Sequence, residues 1–246
     1  MTMPLTTSTV NQVSILTVQR MLVKIDQLHL PISSRRDVEI ILVRQVTRQL
    51  DLALPWQAGH GQRTAALAIA IGRIAGLSPE ALHHLKLASL LHDIGLLTLP
   101  PWLLTEPASW DSAMYAAVQC HPRVGAELLA PFRFLREASV LIAHHHERWD
   151  GTGYPYGLRG AYIPLGARIL SIADSFDAID VPNVDSPDIR NRVAYRILRV
   201  AAGTQFDPDL IEACACYLAQ KAFSRRMTPN DPHDDAPSQS LNKESP

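Results

Sequence analysis

Leu91-His92-Asp93-Ile94-Gly95 is the stretch on which the reading of this chain turns. An apolar run leads into an imidazole and a carboxylate side by side, and a glycine closes the stretch. A helix over residues 78–93 carries Leu82, Leu85, Ala88 and Leu91 at three-residue steps into a core and delivers the His-Asp pair at its C-terminal end. Adjacent residues on a helix lie about 100° apart, so the two side chains diverge, yet one imidazole and one carboxylate can flank a metal pair. A carboxylate has two oxygens and can bridge. A His-Asp pair at a helix end is commonly no more than a hydrogen-bonded terminus, so the reading depends on the rest of the chain.

The chain has 246 residues, 47% hydrophobic and 19% charged, enough for one large domain or a domain plus an extension. Its formal net charge of −1 argues against a surface that binds nucleic acid polymers through bulk electrostatics. Cys120, Cys214 and Cys216 are odd in number and form no Cys-x-x-Cys motif, which points away from a disulfide framework and toward a reducing cytoplasm. No signal peptide pattern and no apolar run long enough for a membrane span is read, so the expectation is a soluble cytoplasmic protein. Of ten histidines, seven fall between His83 and His146.

Outward from the His-Asp pair the pattern is helical throughout. Helices are expected over residues 10–28 and 35–52, with Ser33 and Ser34 as caps for the second; together they form an N-terminal extension over residues 1–50 that could serve as a dimerisation arm. A helix from His60 to Gly76 follows, then one opened by Ser78-Pro79-Glu80, and a loop is expected over residues 99–108. Ser109-Trp110-Asp111 opens a helix reaching His121, where Pro122 forces a restart, and residues 134–146 read as one more helix. His83, His84 and His144 are assigned to outward faces. Glycines at 151, 153, 157 and 160 mark a loop before the helix of residues 165–180, and a loop that long in a compact domain is usually functional. Two helices, 190–202 and 207–223, complete an all-α chain, with residues 223–246 expected to be a disordered tail.

The polar residues at helix ends or on apolar stripes are His60, His92, Asp93, His121, His145, His146 and Asp174. Asp174 sits among Ile169, Ile172, Ala173 and Phe176, where a carboxylate is costly unless paired or bound to a cation. Imidazoles and carboxylates without thiolate suit Fe, Mn, Zn or Ni and are too nitrogen-rich for Mg or Ca. Five imidazoles and two carboxylates exceed what one ion with an open position needs and suffice for two, with Asp93 bridging. Two ions about 3.5 to 4 Å apart activate water and neutralise a phosphoryl oxygen, which makes phosphodiester hydrolysis the natural chemistry.

These residues lie in a set of motifs: His92-Asp93-Ile94-Gly95, His121-Pro122 followed by Gly125-Ala126-Glu127, the eleven residues from His145 to Pro155, Ala173-Asp174-Ser175-Phe176-Asp177-Ala178, and Gly203-Thr204-Gln205-Phe206-Asp207-Pro208. The set closely resembles the HD-GYP family of cyclic di-GMP phosphodiesterases over about residues 51–222. The resemblance implies an HD-type helical bundle around a centre of two divalent transition metals, Fe or Mn in the first place and Zn or Ni otherwise. It further implies that a metal-bound hydroxide opens cyclic di-GMP to linear pGpG and on to GMP. Position by position, His60, His92, Asp93, His121, His145, His146 and Asp174 correspond to the family's ligands, with His92 and Asp93 at the catalytic heart. Arg148, Asp150, Gly153, Tyr154, Pro155 and Arg159 fall where substrate contacts are expected, and the 151–155 loop where GGDEF-type or other signalling proteins would dock. Some members carry a glutamate four residues before the first histidine; here that position is Trp56, so two metals are expected rather than three.

Two departures stand out. The family has Lys after His-Asp-Ile-Gly, where this chain has Leu96, and its basic run after the Asp-Ala motif is replaced by an acidic stretch, residues 180–188. Lost charge stabilisation at such a site is worth a few kcal/mol. A phosphodiesterase is the first reading. A catalytically weak module that keeps its metals and works through protein contacts is the second, and a hydrolase of another nucleotide or phosphate ester the third.

Overall fold

The computed structural model describes residues 7–27, 32–105, 111–182, 184 and 186–227. Eleven α-helices succeed one another among them, joined by short 3-10 turns, and the one isolated bridge, Ala202 to Phe206, belongs to no strand. The helices are α1 (Thr7–Asp26), α2 (Ile32–Ala53), α3 (His60–Ile74), α4 (Pro79–Leu91), α5 (Pro101–Thr105), α6 (Ser112–Val118), α7 (His121–Leu129), α8 (Arg136–Ala143), α9 (Leu165–Ala178), α10 (Pro187–Val200) and α11 (Pro208–Met227). The all-α reading holds. No helix among the described residues is long and apolar enough to cross a membrane.

Helices α3, α4, α8 and α9 pack on one another around a core that includes Ile71, Leu85, Leu91, Ile142, Ile169 and Ile172, all essentially inaccessible to solvent. Local chemistry sets the boundaries. Ser78 caps α4 by accepting from the Ala81 N–H at 3.2 Å, and Pro79 occupies the first turn, where its missing N–H leaves no bond unmade. Asp111 caps α6 through the Met114 N–H at 2.8 Å. Pro122 restarts the chain as α7, as its fixed φ favours.

Several local expectations are corrected. The loop expected over 99–108 contains the short helix α5, and the helix expected to open at Ser109 begins at Ser112; residues 106–110 lie outside the described ones. Ser33 and Ser34 lie inside α2 rather than before it. The helix expected to carry both His145 and His146 ends at Ala143, so the pair sits in a turn, 144–146, where adjacent side chains are freed from the 100° spacing. His83 faces inward: its side chain is only 8% exposed, with Nε2 3.0 Å from Glu39 Oε2, because α2 covers that side of α4. α11 runs through Met227, into the stretch expected to be tail, and α1 starts at Thr7, three residues before the helix expected from residue 10; residues 1–6 and 228–246 lie outside the described ones.

The N-terminal pair is built onto the bundle. Val18 and Leu22 of α1 are buried, and with Ile94, Leu97 and Leu128 they line a small void beneath the 3-10 turn His92–Thr98. The turn that carries the His-Asp pair therefore rests on α1 from behind.

Candidate metal centre

Five elements deliver the polar residues to one place. His60 opens α3, His92 and Asp93 open the 3-10 turn after α4, His121 opens α7, His145 and His146 lie in the turn after α8, and Asp174 stands one turn before the end of α9. The side chains converge in two clusters. His60 Nε2 lies 3.2 Å from His92 Nε2 and 3.0 Å from Asp174 Oδ1, which is 3.6 Å from His92 Nε2. On the other side His121 Nε2 lies 3.4 Å from His145 Nε2, and His146 completes a triad of possible donors. Asp93 stands between: Oδ2 is 3.3 Å from His92 Nε2 and 4.0 Å from His60 Nε2, while Oδ1 is 3.5 Å from His121 Nε2. Its two oxygens face different clusters.

The tautomers test whether a cation suits this arrangement. Nδ1 of His92, His121 and His145 donates to the carbonyl oxygens of Ser89, Val118 and Ile142 at 3.0, 2.8 and 2.7 Å. With the ring proton held there, Nε2 of each ring is the atom turned into the site, and in His121 and His145, which burial keeps neutral, it carries a lone pair. His121 and His145 thus point lone pair at lone pair across 3.4 Å, an arrangement that repels unless a cation lies between them. The donor set therefore fits metal ions.

The electrostatics divide the centre into two poles. In the imidazole pole, burial keeps His121 below its usual value, pushes His146 down to about 4 and, with three neighbouring histidines, holds His145 well below. These rings stay neutral at pH 7, as ligands must. In the carboxylate pole, burial opposes charge but loses: hydrogen bonds to Asp174 and Asp177 push His60 up to about 10, and Asp93 with Asp174 raises His92. Burial would likewise raise Asp174, yet hydrogen bonds from His60 and His92 hold it well below the carboxylate range. A cation held by His60, His92 and Asp174 would displace the protons that gather there.

Sequence reading missed two supports. Asp177, three residues beyond Asp174 on the same helix, accepts from His60 Nδ1 at 2.7 Å and from Arg63 at 2.8 and 3.0 Å. The i, i+3 spacing of His60 with Arg63 and of Asp174 with Asp177 was the available signal. Glu147, buried beside the histidine pair, accepts the N–H groups of Tyr156 and Leu158 at 2.7 and 3.0 Å and so ties the glycine-bearing loop to the site.

The expected substrate residues spread along that loop. Tyr154 lies with its ring 4.9 Å from His146, and burial pushes its phenol further above its ordinary value. Arg148 binds Thr152 Oγ1 at 2.9 Å and Asp150 at 3.2 Å, so both charges serve the loop itself. Gly153 and Pro155 flank Tyr154, and exposed Arg159 packs its stem over Gly151. His144 stays outside the cluster, 5.0 Å from the Tyr156 ring, and Trp56 is half exposed in the 3-10 turn before α3. Leu96 is 6% exposed and belongs to the hydrophobic core. The three cysteines are unpaired.

Helices that bring buried histidines and aspartates together in this way define a metal-site protein of the His-Asp class. Residues 44–210 match the model of the HD domain family, and the chain belongs to that family, in its HD-GYP branch. It is 34% identical over 155 residues to the 3′3′-cGAMP-specific phosphodiesterase 2 of Vibrio cholerae, covering 62% of this chain and 30% of the relative. It is 35% identical over 156 residues to the cyclic di-GMP phosphodiesterase response regulator RpfG of Xanthomonas campestris, covering 62% and 41%. The chain spans less than half the length of these curated relatives. Among solved structures, an HDG"Y"P protein from Bdellovibrio bacteriovorus shares the fold at 19% identity and a TM-score of 0.55, covering 85% of this chain and 71% of that one. A cyclic GMP-AMP-specific phosphodiesterase of V. cholerae does so at 24% and 0.54, covering 70% and 46%.

Proposed function

We propose that this chain is a metal-dependent phosphodiesterase acting on a cyclic dinucleotide, cyclic di-GMP in the first place. The observation that carries the reading is Asp93, whose two carboxylate oxygens face two separate sets of buried donors. His60, His92 and Asp174 would hold one divalent transition metal, His121, His145 and His146 the other, and Asp93 both. Such a pair supplies positive charge against a phosphoryl oxygen and a more acidic water at neutral pH.

The chain's own residues prepare the site. The carbonyls of Ser89, Val118 and Ile142 hold three imidazoles in one tautomer and one orientation, so no reorganisation is needed when charge develops. Glu147 pins the loop that presents Tyr154 beside His146, where the phenol ring walls one side of the site. Relatives named for cyclic di-GMP and for 3′3′-cGAMP support a cyclic dinucleotide as substrate class.

A second reading, a catalytically weak module that retains its metals and works through protein contacts at the 151–155 loop, is favoured by one observation. The residue after His-Asp-Ile-Gly is a core leucine, so no ammonium is offered to a phosphate from there.

The experiment is to purify the protein anaerobically, measure metal per chain, and follow cyclic di-GMP and 3′3′-cGAMP by chromatography beside Asp93→Ala. Two metals with turnover lost in the variant support the enzyme. Two metals with no turnover above the variant would leave the module, and less than one metal per chain would remove the centre.

A further inference from the structure

His60 differs from the other oriented histidines in where it sits on its helix. His92, His121 and His145 each donate from Nδ1 to the carbonyl three residues back, at or just beyond the C-terminal end of α4, α6 and α8. His60 is the first residue of α3, and what precedes it is a left-handed Gly59 at φ 76° after a 3-10 turn. No carbonyl of its own helix lies behind it. Its Nδ1 is met instead from α9, by Asp177 Oδ2 at 2.7 Å.

Asp177 is in turn gripped by Arg63, one turn along α3. Arg63 Nε donates to Oδ1 at 2.8 Å and Nη2 to Oδ2 at 3.0 Å, a two-pronged fit that fixes the carboxylate plane. Its remaining arm, Nη1, donates to the Ala58 carbonyl at 3.0 Å, and a Cβ on Gly59 would lie 2.9 Å from that nitrogen. The guanidinium therefore ties the entry of α3 to the end of α9. Asp51 braces the same entry by accepting the Gly59 N–H at 3.0 Å.

We infer that Arg63 and Asp177 are a positioning pair that replaces the missing helix carbonyl, keeps His60 Nε2 turned toward His92 and Asp174, and makes metal retention in that cluster conditional on the α3–α9 junction. This rests on the metal-centre reading above. The His121, His145 and His146 cluster has no such dependence, because its oriented rings are held by backbone.

The test uses the full chain with Asp177→Ala and, because Arg63 is a surface residue whose loss leaves the core intact, Arg63→Gln. Metal per chain is followed during titration with a chelator, and the His60 ring tautomer is read from long-range nitrogen–proton spectra of zinc-loaded protein. The expected result is that Asp177→Ala releases one of two ions at a roughly 10- to 100-fold lower chelator concentration while the second is held as in wild type. Arg63→Gln shifts the same ion less, Arg63→Lys less still, and the His60 spectrum alone changes. Release of both ions as in wild type from both variants, with the His60 spectrum unchanged, would overturn the inference and leave the metal centre standing. A wild-type chain that binds no transition metal would overturn the centre and this inference with it.

Discussion

Gly95 packs directly against the backbone of His121 and Gly125, and replacing it with alanine tests the geometry between the two clusters. A Cβ there would overlap the His121 carbonyl oxygen and lie 2.9 Å from the Gly125 nitrogen, against about 3.5 Å for an ordinary contact. Both obstacles are main chain, so no side chain can swing aside. The His92–Thr98 turn and the start of α7 must part by on the order of 1 Å, and overpacking of this kind costs about 1–3 kcal/mol. Asp93 rides on the first of these elements and His121 on the second, with 3.5 Å between their facing atoms, so the separation falls on the bridge itself. Gly95→Ala should lower the thermal midpoint by roughly 2–10 °C for a chain of this size. It should also reduce bound metal from two ions per chain to one or fewer, measured by elemental analysis of anaerobically prepared protein. A variant that melts with wild type and keeps both ions would show that the turn and α7 are not in rigid contact, and the bridging role of Asp93 would lose its structural basis.

Leu96→Lys asks whether the family's lysine can be restored: burying an ammonium in the core should lower the midpoint and yield no gain in cyclic di-GMP turnover, and a gain at unchanged stability would refute the burial argument. Leu22→Ala removes the α1 side chain that backs the His-Asp turn; a loss of about 2–5 kcal/mol in urea unfolding, with weaker metal retention, is expected, whereas wild-type metal retention would mean α1 does not support the turn. His83 is pushed down to about 4 by burial first, then by His84, Arg36 and Lys86, with Asp37 opposing. Its folded value lies below its unfolded one, so its contribution is intact above about pH 6.5 and is lost as pH falls from there toward 4. His83→Gln keeps a donor for Glu39 but does not titrate, so wild type should lose on the order of 2 kcal/mol relative to it between pH 7 and pH 4.5. Parallel stability curves for the two would refute the assignment.

The residues of the candidate centre were legible from their motifs taken together rather than one by one. Asp174 among isoleucines breaks an apolar stripe, His92 and Asp93 gain meaning only beside the other motifs, and the all-helical class follows from three- and four-residue spacing. What escaped was set by tertiary contact. His83 looked outward because the spacing of α4 is silent about α2, which covers it. Asp177 had only its i, i+3 spacing from Asp174 to mark it off from a solvent-facing carboxylate, and its role is set by the contact with Arg63 and His60 of α3. The end of α8 at Ala143 escaped because nothing in Ala143-His144-His145 forbids helix; the turn is imposed where Glu147 and the following loop close over the site.

The placement of the histidines at helix ends has an electrostatic logic of its own. A helix leaves its last carbonyls without partners and carries partial negative charge there. The final turns of α4, α6 and α8 all end at the centre, and a carbonyl from each is taken up by the Nδ1–H of the histidine that follows. One contact thus satisfies an orphan acceptor, fixes a ring, and aims a helix's negative end toward the candidate metal centre. His60 enters from the opposite, positive end of α3, where neither carbonyl nor favourable dipole is offered, and there the chain spends two carboxylates, Asp174 in front and Asp177 behind. The carboxylate behind His60 is therefore a consequence of helix direction, since the one histidine at a helix start with no preceding helix end to orient it is the one held at Nδ1 by a side chain.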